Sequence, residues 1–387
     1  MVAIGEWLRA REQEGTLREL TGLEHLGRGR VRLAGGGPEL LDFSSNDYLA
    51  LGQHPALIAA ATEALARYGT GAGAARLMSG NFPVHQELEQ AVASLKGQEA
   101  ALLFGSGYAA NLGIIAALAG RDDTIFTDRL NHASIYDGCR LAGARIARFR
   151  HNDLDHLEQM LRKHGAGDRN KKLIVVESVY SMDGDCAPLR ELVRLKERYG
   201  CLLMVDEAHA TGVFGMNGGG IIEEEGVAGC VDLAMGTFGK ALGSYGAYVA
   251  ASQAMIAFLV NRARSFIFST ALPPSVAAAS LAAVQLIQRE PALRRELHER
   301  VAFFKDALRR GGMGADLGPS QIIPIQFGES ARAVAAAERL RAQGLFVPAV
   351  RPPTVPEGTA RLRFSITRHL DQAELAAAAQ ALLDVLS

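Results

Sequence analysis

Cysteine is scarce. Cys139, Cys186, Cys201 and Cys230 are the four in 387 residues, and no two stand in C-x-x-C spacing. That excludes a disulfide-stapled scaffold and offers no metal site, and it leaves reduced, mostly buried thiols in a cytoplasmic chain as the expectation. A surplus of either charge is missing too: 41 basic residues face 42 acidic ones, for a net charge of −1. Nothing in that balance points to nucleic acid or to a membrane surface. No apolar stretch reaches ~18 residues without glycine, proline or a charge, so no transmembrane helix is expected. The opening "MVAIGEWLRAREQEG" has no continuous apolar run and carries Glu6 early, unlike a signal peptide. Fixed-period repeats and low-complexity tracts are likewise absent.

What is present is an ordinary globular composition, 48% hydrophobic and 21% charged. The length suits two or three structural units with a large core. Residues 1–20 read as a short amphipathic helix with Ile4, Trp7 and Leu8 on one side, and "RVRLAGGGPELLDFSSNDYLAL" reads as strands and turns. Residues 84–97 form a helical pattern closed by Gly97 as C-cap. From about residue 100, apolar runs at 101–104, 124–127, 147–150, 173–177, 201–208, 231–237 and 246–251 alternate with helical patterns at 108–119, 132–142, 153–164 and 188–199. Continuous apolar strands alternating with helices predict an α/β fold with a mostly parallel sheet covered on both faces. After residue 275 come long Ala/Leu/Arg helices, then strand and helix patterns of a smaller α+β domain. The expected division is an N-terminal segment 1–50, a large domain 51–275 and a small C-terminal domain 276–387, the two chain ends sharing a lobe.

Ligands in such sheets bind at the carboxyl ends of the strands, and candidate groups collect there. "FGSGYAANLG" follows a strand and opens a helix; Gly105 and Gly107 would free backbone N–H groups for a phosphate. It is neither G-x-G-x-x-G nor a P-loop, and taken alone it also fits an ordinary turn. "VDEAHATG" ends another strand and carries Asp206 and His209 three residues apart; taken singly, Asp206 fits a cap and His209 a core histidine. "TDRLNHASIYDG" places His132 between strand and helix, and "ESVYSMDGDCAPL" adds Ser181. "MGTFGKALGSYGAYVA" holds Lys240 in a small-residue turn next to an apolar strand, with Thr237 three residues earlier. Confinement in a low-dielectric turn lowers an amine's pKa, which is what a Schiff-base lysine requires. A lysine with an acidic partner for a pyridinium nitrogen meets the needs of pyridoxal phosphate.

In order and spacing, "DFSSNDYLAL", "FGSGYAAN", "DRLNHASIYDG", "ESVYSMDGD", "VDEAHATG", "GTFGKALG", "FSTALPP" and "RPPTVPEGTARLRFSIT" resemble the α-oxoamine synthases. These are pyridoxal 5'-phosphate enzymes of the aspartate-aminotransferase-like fold (fold type I), and the likeness covers nearly the whole chain. Within the family, "RPPTVPEGTARLR" is most similar to the biotin-pathway branch, which joins L-alanine to a pimeloyl thioester with loss of CO2. A glycine-using acetyltransferase of the same family is the alternative.

The resemblance implies roles. Lys240 would carry the cofactor as a Schiff base, His132 would stack on its ring, Asp206 would pair with the ring nitrogen and His209 with the phenolic oxygen. Gly107 and Tyr108 would supply backbone contacts, Ser181 and Thr237 would hold cofactor oxygens, and Thr270 would reach the phosphate of a neighbouring subunit's cofactor in a homodimer. Arg363 would take a substrate carboxylate, Asn46 and Thr354 would touch substrate, and Arg18 would meet the far end of the acyl chain. "GAGAARLMSG" would line the amino-acid pocket. The acyl donor would be a coenzyme A thioester or an acyl carrier protein. An inactive partner subunit would be expected to lack the lysine, and a plain aminotransferase the "DRLNHAS" and "RPPT…ARLR" stretches.

Overall fold

A computed structural model describes residues 2–14, 16–163, 170–314 and 316–387. The chain divides into two compact units. One comprises Leu51–Ser181 and Asp185–Arg295, the other Met1–Ala50, Met182–Gly184 and Glu296–Ser387.

In the first unit the apolar runs form seven strands: β1 (Ala100–Phe104), β2 (Thr124–Asp128), β3 (Arg145–Phe149), β4 (Lys172–Glu177), β5 (Leu202–Asp206), β6 (Leu233–Thr237) and β7 (Ala247–Ala251). They lie in one sheet in the order β1-β7-β6-β5-β4-β2-β3. β2 to β6 pair in parallel, and β7 is antiparallel to both its neighbours. Burial on both faces explains why these strands read as continuous apolar runs rather than alternating ones. Ile114, Ile125, Val175, Met204, Leu233 and Val249 pack together in the core of this unit.

The helices of this unit include α1 (Pro55–Tyr68), α2 (Pro83–Lys96), α3 (Gly107–Leu118), α4 (Ala133–Ala142) and α5 (Pro274–Arg289). Their ends carry local stop and start signals. Gly97 closes α2 in the left-handed region at φ 61°, as the sequence suggests. Ser106 caps α3 through its hydroxyl.

The second unit contains the helix Val2–Gln13 and a small sheet of Leu23–Gly27, Arg30–Leu33, Leu40–Asp42 and Leu345–Phe346. Ile4, Trp7 and Leu8 on that helix are exposed. A three-stranded antiparallel sheet joins Ile322–Gly328, Ala360–Ser365 and Ala349–Val350. Phe43, Phe304 and Phe364 meet at 5.4–6.1 Å between ring centroids to form its aromatic core. Here the structure corrects the expected boundary at residue 276. α5 packs on α1 and α2, so it belongs to the large unit, and the change falls at Glu296.

Cys139 and Cys201 are buried, whereas Cys186 and Cys230 are half-buried, so burial covers fewer thiols than expected. Burial pushes the Cys139 thiol up to about 12 and that of Cys201 up to about 11. Among the described residues no helix is long and apolar enough to cross a membrane.

A buried ion pair fixes the loop that follows β5. Lys96, the last residue of α2, donates to Glu207 Oε2 at 2.6 Å, Thr211 Oγ1 at 3.0 Å and the Gly219 carbonyl at 2.6 Å. Its ammonium thus has three acceptors, and Glu207 Oε1 accepts from the Ile222 backbone N–H at 3.0 Å. Both side chains are essentially inaccessible, at 1% and 0% exposed. The glutamate leaves no room beside it: a Cβ on Gly220, itself at φ +100°, would lie 2.5 Å from the carboxylate oxygens. Removing one partner strands a buried charge, which costs about 3–5 kcal/mol. Lys96→Met is therefore expected to lose about 3–5 kcal/mol in urea unfolding. Lys96→Met with Glu207→Gln, which keeps an acceptor for Ile222, should recover more than half of that loss.

Candidate active site

The carboxyl ends of β4 and β5 place two carboxylates side by side. Parallel register sets Glu177 beside Asp206, and Asp206 beside Met235. Residues in register on neighbouring parallel strands project to the same face, so the two carboxylates are neighbours. Asp206 is held from two directions: Oδ1 accepts from the Ala208 N–H at 2.9 Å, and Oδ2 from Asn111 Nδ2 at 2.9 Å. Asn111 lies on α3 and also donates to Ser134 Oγ at 2.9 Å.

Lys240 occupies the turn between β6 and β7. The Gly243 N–H bonds the Lys240 carbonyl at 2.9 Å, and the Ser244 N–H bonds that of Phe238 at 2.8 Å. Gly243 sits at φ +59°, and a Cβ there would come within 2.4 Å of the Gly52 nitrogen. Only glycine suits that position. The turn delivers Lys240 Nζ to 2.8 Å from His209 Nε2, so the two residues that the sequence separates by a strand are in direct contact.

His132 caps α4, its Nδ1 accepting from the Ser134 N–H at 3.3 Å. Burial holds its imidazole below the ordinary value; Asp206 opposes that shift and Lys240 adds to it. Its backbone N–H donates to Glu177 Oε1. The Ser181 backbone also bonds the Glu177 carboxylate. Ser181 lies four residues beyond β4, in a turn rather than at the strand end.

Glu177 is 3% exposed. Desolvation first, then the Asp206 charge, pushes its carboxyl up to about 8, against Lys240 and the two backbone N–H groups. In "ESVYSMDGD" the sequence points to Ser181, and not to this glutamate or to Asn111. The position of Glu177, at the C-terminal end of an apolar strand, was the available signal.

The arrangement fits pyridoxal phosphate. Thr237 Oγ1 is buried with no hydrogen-bond partner in the protein. Helix geometry leaves the N–H groups of Gly107 and Tyr108 without intrahelical acceptors, since Ser106 takes those of Ala109 and Ala110. A Cβ at Gly107 would lie 2.8 Å from Thr237 Cγ2, so α3 and β6 meet at the closest approach that glycine permits. An orphaned hydroxyl beside free helical N–H groups is an anion cradle. The Tyr108 hydroxyl bonds Asp137. Thr270 is exposed, on an isolated bridge to Ala75.

Four expected substrate residues belong to the other unit and form two pairs. Arg18 Nη2 donates to Thr354 Oγ1 at 2.8 Å. Arg363 is buried and donates to Asn46 Oδ1 at 3.2 Å, Tyr48 Oη at 3.2 Å and Ser365 Oγ at 2.7 Å. Arg76 in "GAGAARLMSG" makes a two-pronged bond to Glu89, 2.9 Å on each arm, and bonds Asn81 at 2.7 Å.

A sheet of this topology with a lysine, an aspartate and a histidine at its strand ends defines a class, and the comparisons agree with it. The family described as aminotransferase class I and II matches residues 38–382, and the chain belongs to it. Among curated proteins, the 8-amino-7-oxononanoate synthase of Geobacter sulfurreducens is 51% identical over 381 residues, 98% of this chain and 96% of that protein. A solved serine palmitoyltransferase from S. paucimobilis, with a bound PLP–myriocin aldimine, superposes with a TM-score of 0.92 at 32% identity over 99% of this chain and 96% of that one. The 8-amino-7-oxononanoate synthase of Francisella tularensis gives 0.77 at 29%, over 90% and 98%.

Folding raises the Glu177 carboxyl from about 4.3, its value in an unfolded chain, so between there and about 8 the folded state binds the extra proton. Stability of the cofactor-free protein should therefore fall through that window as pH rises. Glu177→Gln should flatten this part of the profile, read as urea midpoints across the pH series.

Proposed function

We propose that this chain is a pyridoxal-phosphate-dependent acyltransferase that condenses L-alanine with a pimeloyl thioester, giving 8-amino-7-oxononanoate, CO2 and a free thiol for biotin synthesis. The observation that carries this reading is the near full-length likeness to a curated synthase of that name, at 51% identity. The site chemistry supports it. When bound, pyridoxal phosphate supplies a carbonyl that captures amines and a protonated ring that draws electrons from Cα.

The residues of this chain do the rest. Lys240 would hold the cofactor through Nζ, and the same nitrogen, when free, would receive the Cα proton as general base. His209, 2.8 Å away, orients that amine. Asp206, fixed by Asn111 and by a backbone N–H, keeps a proton on the ring nitrogen, since a nearby carboxylate favours the charged form. His132 covers the ring from the cap of α4. The N–H groups of Gly107 and Tyr108, with the Thr237 hydroxyl, receive cofactor oxygens, and Ser181 holds a further one.

Arg363 takes the substrate carboxylate through its planar fork, with Asn46 beside it. Arg18 and Thr354 guide the acyl chain. The working form is a homodimer in which Thr270, exposed in the single chain, reaches the partner's cofactor phosphate. Exposed Leu77, Met78 and Phe268 in the same unit are the apolar surface such a contact would cover. A cytoplasmic location suits a thioester substrate carried by coenzyme A or by an acyl carrier protein.

Thiol release by the cofactor-loaded protein tests the substrates. L-alanine, glycine and L-serine are crossed with pimeloyl-, acetyl-, succinyl- and palmitoyl-CoA, and pimeloyl carrier protein is included as a donor. Release confined to L-alanine with a pimeloyl donor is expected, whereas release with glycine and acetyl-CoA would move the function to the glycine-using branch. Lys240→Ala should retain cofactor binding yet lose about 10²–10⁴-fold in turnover, the size of a general-base contribution. Turnover at the parent rate would remove Lys240 from its role.

A further inference from the structure

His151, two residues past β3, bridges two carboxylates. Its Nδ1 lies 3.0 Å from Asp128 Oδ1 and its Nε2 2.7 Å from Asp185 Oδ2. Asp128 ends β2, and its Oδ1 also accepts from the Leu130 N–H at 2.8 Å, inside the loop that leads to His132. Asp185 closes the loop that carries Ser181: its carbonyl accepts from the Tyr180 N–H at 3.0 Å. The neighbouring Asn152 repeats the bridge, its N–H donating to Asp128 Oδ2 at 2.8 Å and its Nδ2 to Asp185 Oδ2 at 2.7 Å. Asn152 does so from the left-handed region, φ +50°, where asparagine is among the few tolerated side chains. The ring of Tyr180 meets the imidazole edge-on at 4.4 Å.

A neutral imidazole has one N–H and one lone pair. Between two carboxylates one nitrogen would then face an acceptor with nothing to donate. An imidazolium donates to both. Asp128 and Asp185 are the charged groups that face the ring, and Tyr180 is the remaining titratable neighbour.

We propose that His151 is a positioning residue that stays protonated across the neutral range and whose two charge-assisted hydrogen bonds lock the His132 loop and the Ser181 loop to one another. Burial opposes the charge, and the two aspartates overcome it, leaving the imidazole at about 10. The stabilisation from the clamp is therefore full below about pH 6.5, the unfolded value, and is lost progressively as pH rises from there through about 10. This sets His151 apart from a histidine that switches near neutrality. Its link to cofactor binding rests on the proposed function; its charge state and its hold on the loops do not.

Histidine-selective ¹⁵N NMR of the holoenzyme tests the charge, with the signal assigned by its loss in His151→Gln. Both nitrogens should stay protonated from about pH 5.5 to about 8.5, where an ordinary histidine titrates. A midpoint near 6.5, or a neutral tautomer at pH 7.5, overturns the proposal.

Hydrogen–deuterium exchange tests the lock. In His151→Gln, peptides covering 128–132 and 178–187 should exchange at least about tenfold faster while the β5–β6 region is unchanged, and the Kd for pyridoxal phosphate should rise about tenfold, each worth about 1.4 kcal/mol. Unchanged exchange in both loops overturns the proposal; faster exchange with unchanged Kd leaves the lock standing and overturns its link to the cofactor. Should His151→Gln fail to fold, Asp185→Asn replaces it: the His151 pKa should then drop by at least about one unit, since one of its two charged partners is gone. A pKa that stays in place overturns the proposal.

Discussion

The large unit depends on one buried charge pair. Lys96 and Glu207 are both sealed from solvent, and each finds its acceptors and donors among elements distant in sequence: the end of α2, the loop after β5, and the backbone at Gly219 and Ile222. Glu207 immediately follows Asp206, so whatever fixes the glutamate fixes the aspartate that ends β5. The glutamate forces its surroundings to be small, which is why Gly220 stands where it does. Thr211, bonded to Lys96, also bonds the Tyr248 hydroxyl on β7. The constraint reaches across the sheet from β5 to β7, the strand that follows the Lys240 turn.

On that frame the site is a problem of crowded charge. Two carboxylates end adjacent strands, and a buried pair of like charges cannot both ionise cheaply. Asp206 is held by an amide and a backbone N–H, and desolvation with the neighbouring Asp206 charge pushes the Glu177 carboxyl up to about 8. The same glutamate holds the backbones of His132 and Ser181. A ring cation at Asp206 would change that balance, because added positive charge favours the ionised form of its neighbours.

How much of this could be read from the sequence follows from what each kind of residue signals locally. The central sheet was legible because strands buried on both faces are continuous apolar runs with helical patterns between them. The Lys240 turn and the Gly97 cap were legible because glycine at a positive φ marks itself. Asp206, at the end of its strand, and His209 and His132, just past theirs, were legible by position. Lys96, Glu207 and Glu177 were not: a charged residue at a helix end or strand end reads as solvated, and nothing local reveals a partner 111 positions away. The boundary at Glu296 was hidden because α5 and the helix that follows it share one Ala/Leu/Arg composition. Only the packing of α5 on α1 and α2 assigns it.

The burial of Cys139 and Cys201 has a chemical consequence. A reaction that liberates a thiol at every turnover accumulates a reductant next to the protein that makes it. Thiol–disulfide exchange proceeds through the thiolate and needs access. Burial keeps Cys139 and Cys201 protonated, at about 12 and about 11, and out of reach. Their sulfurs serve as packing atoms, and neither offers a thiolate to attack the thioester substrate or a disulfide formed from the product thiol.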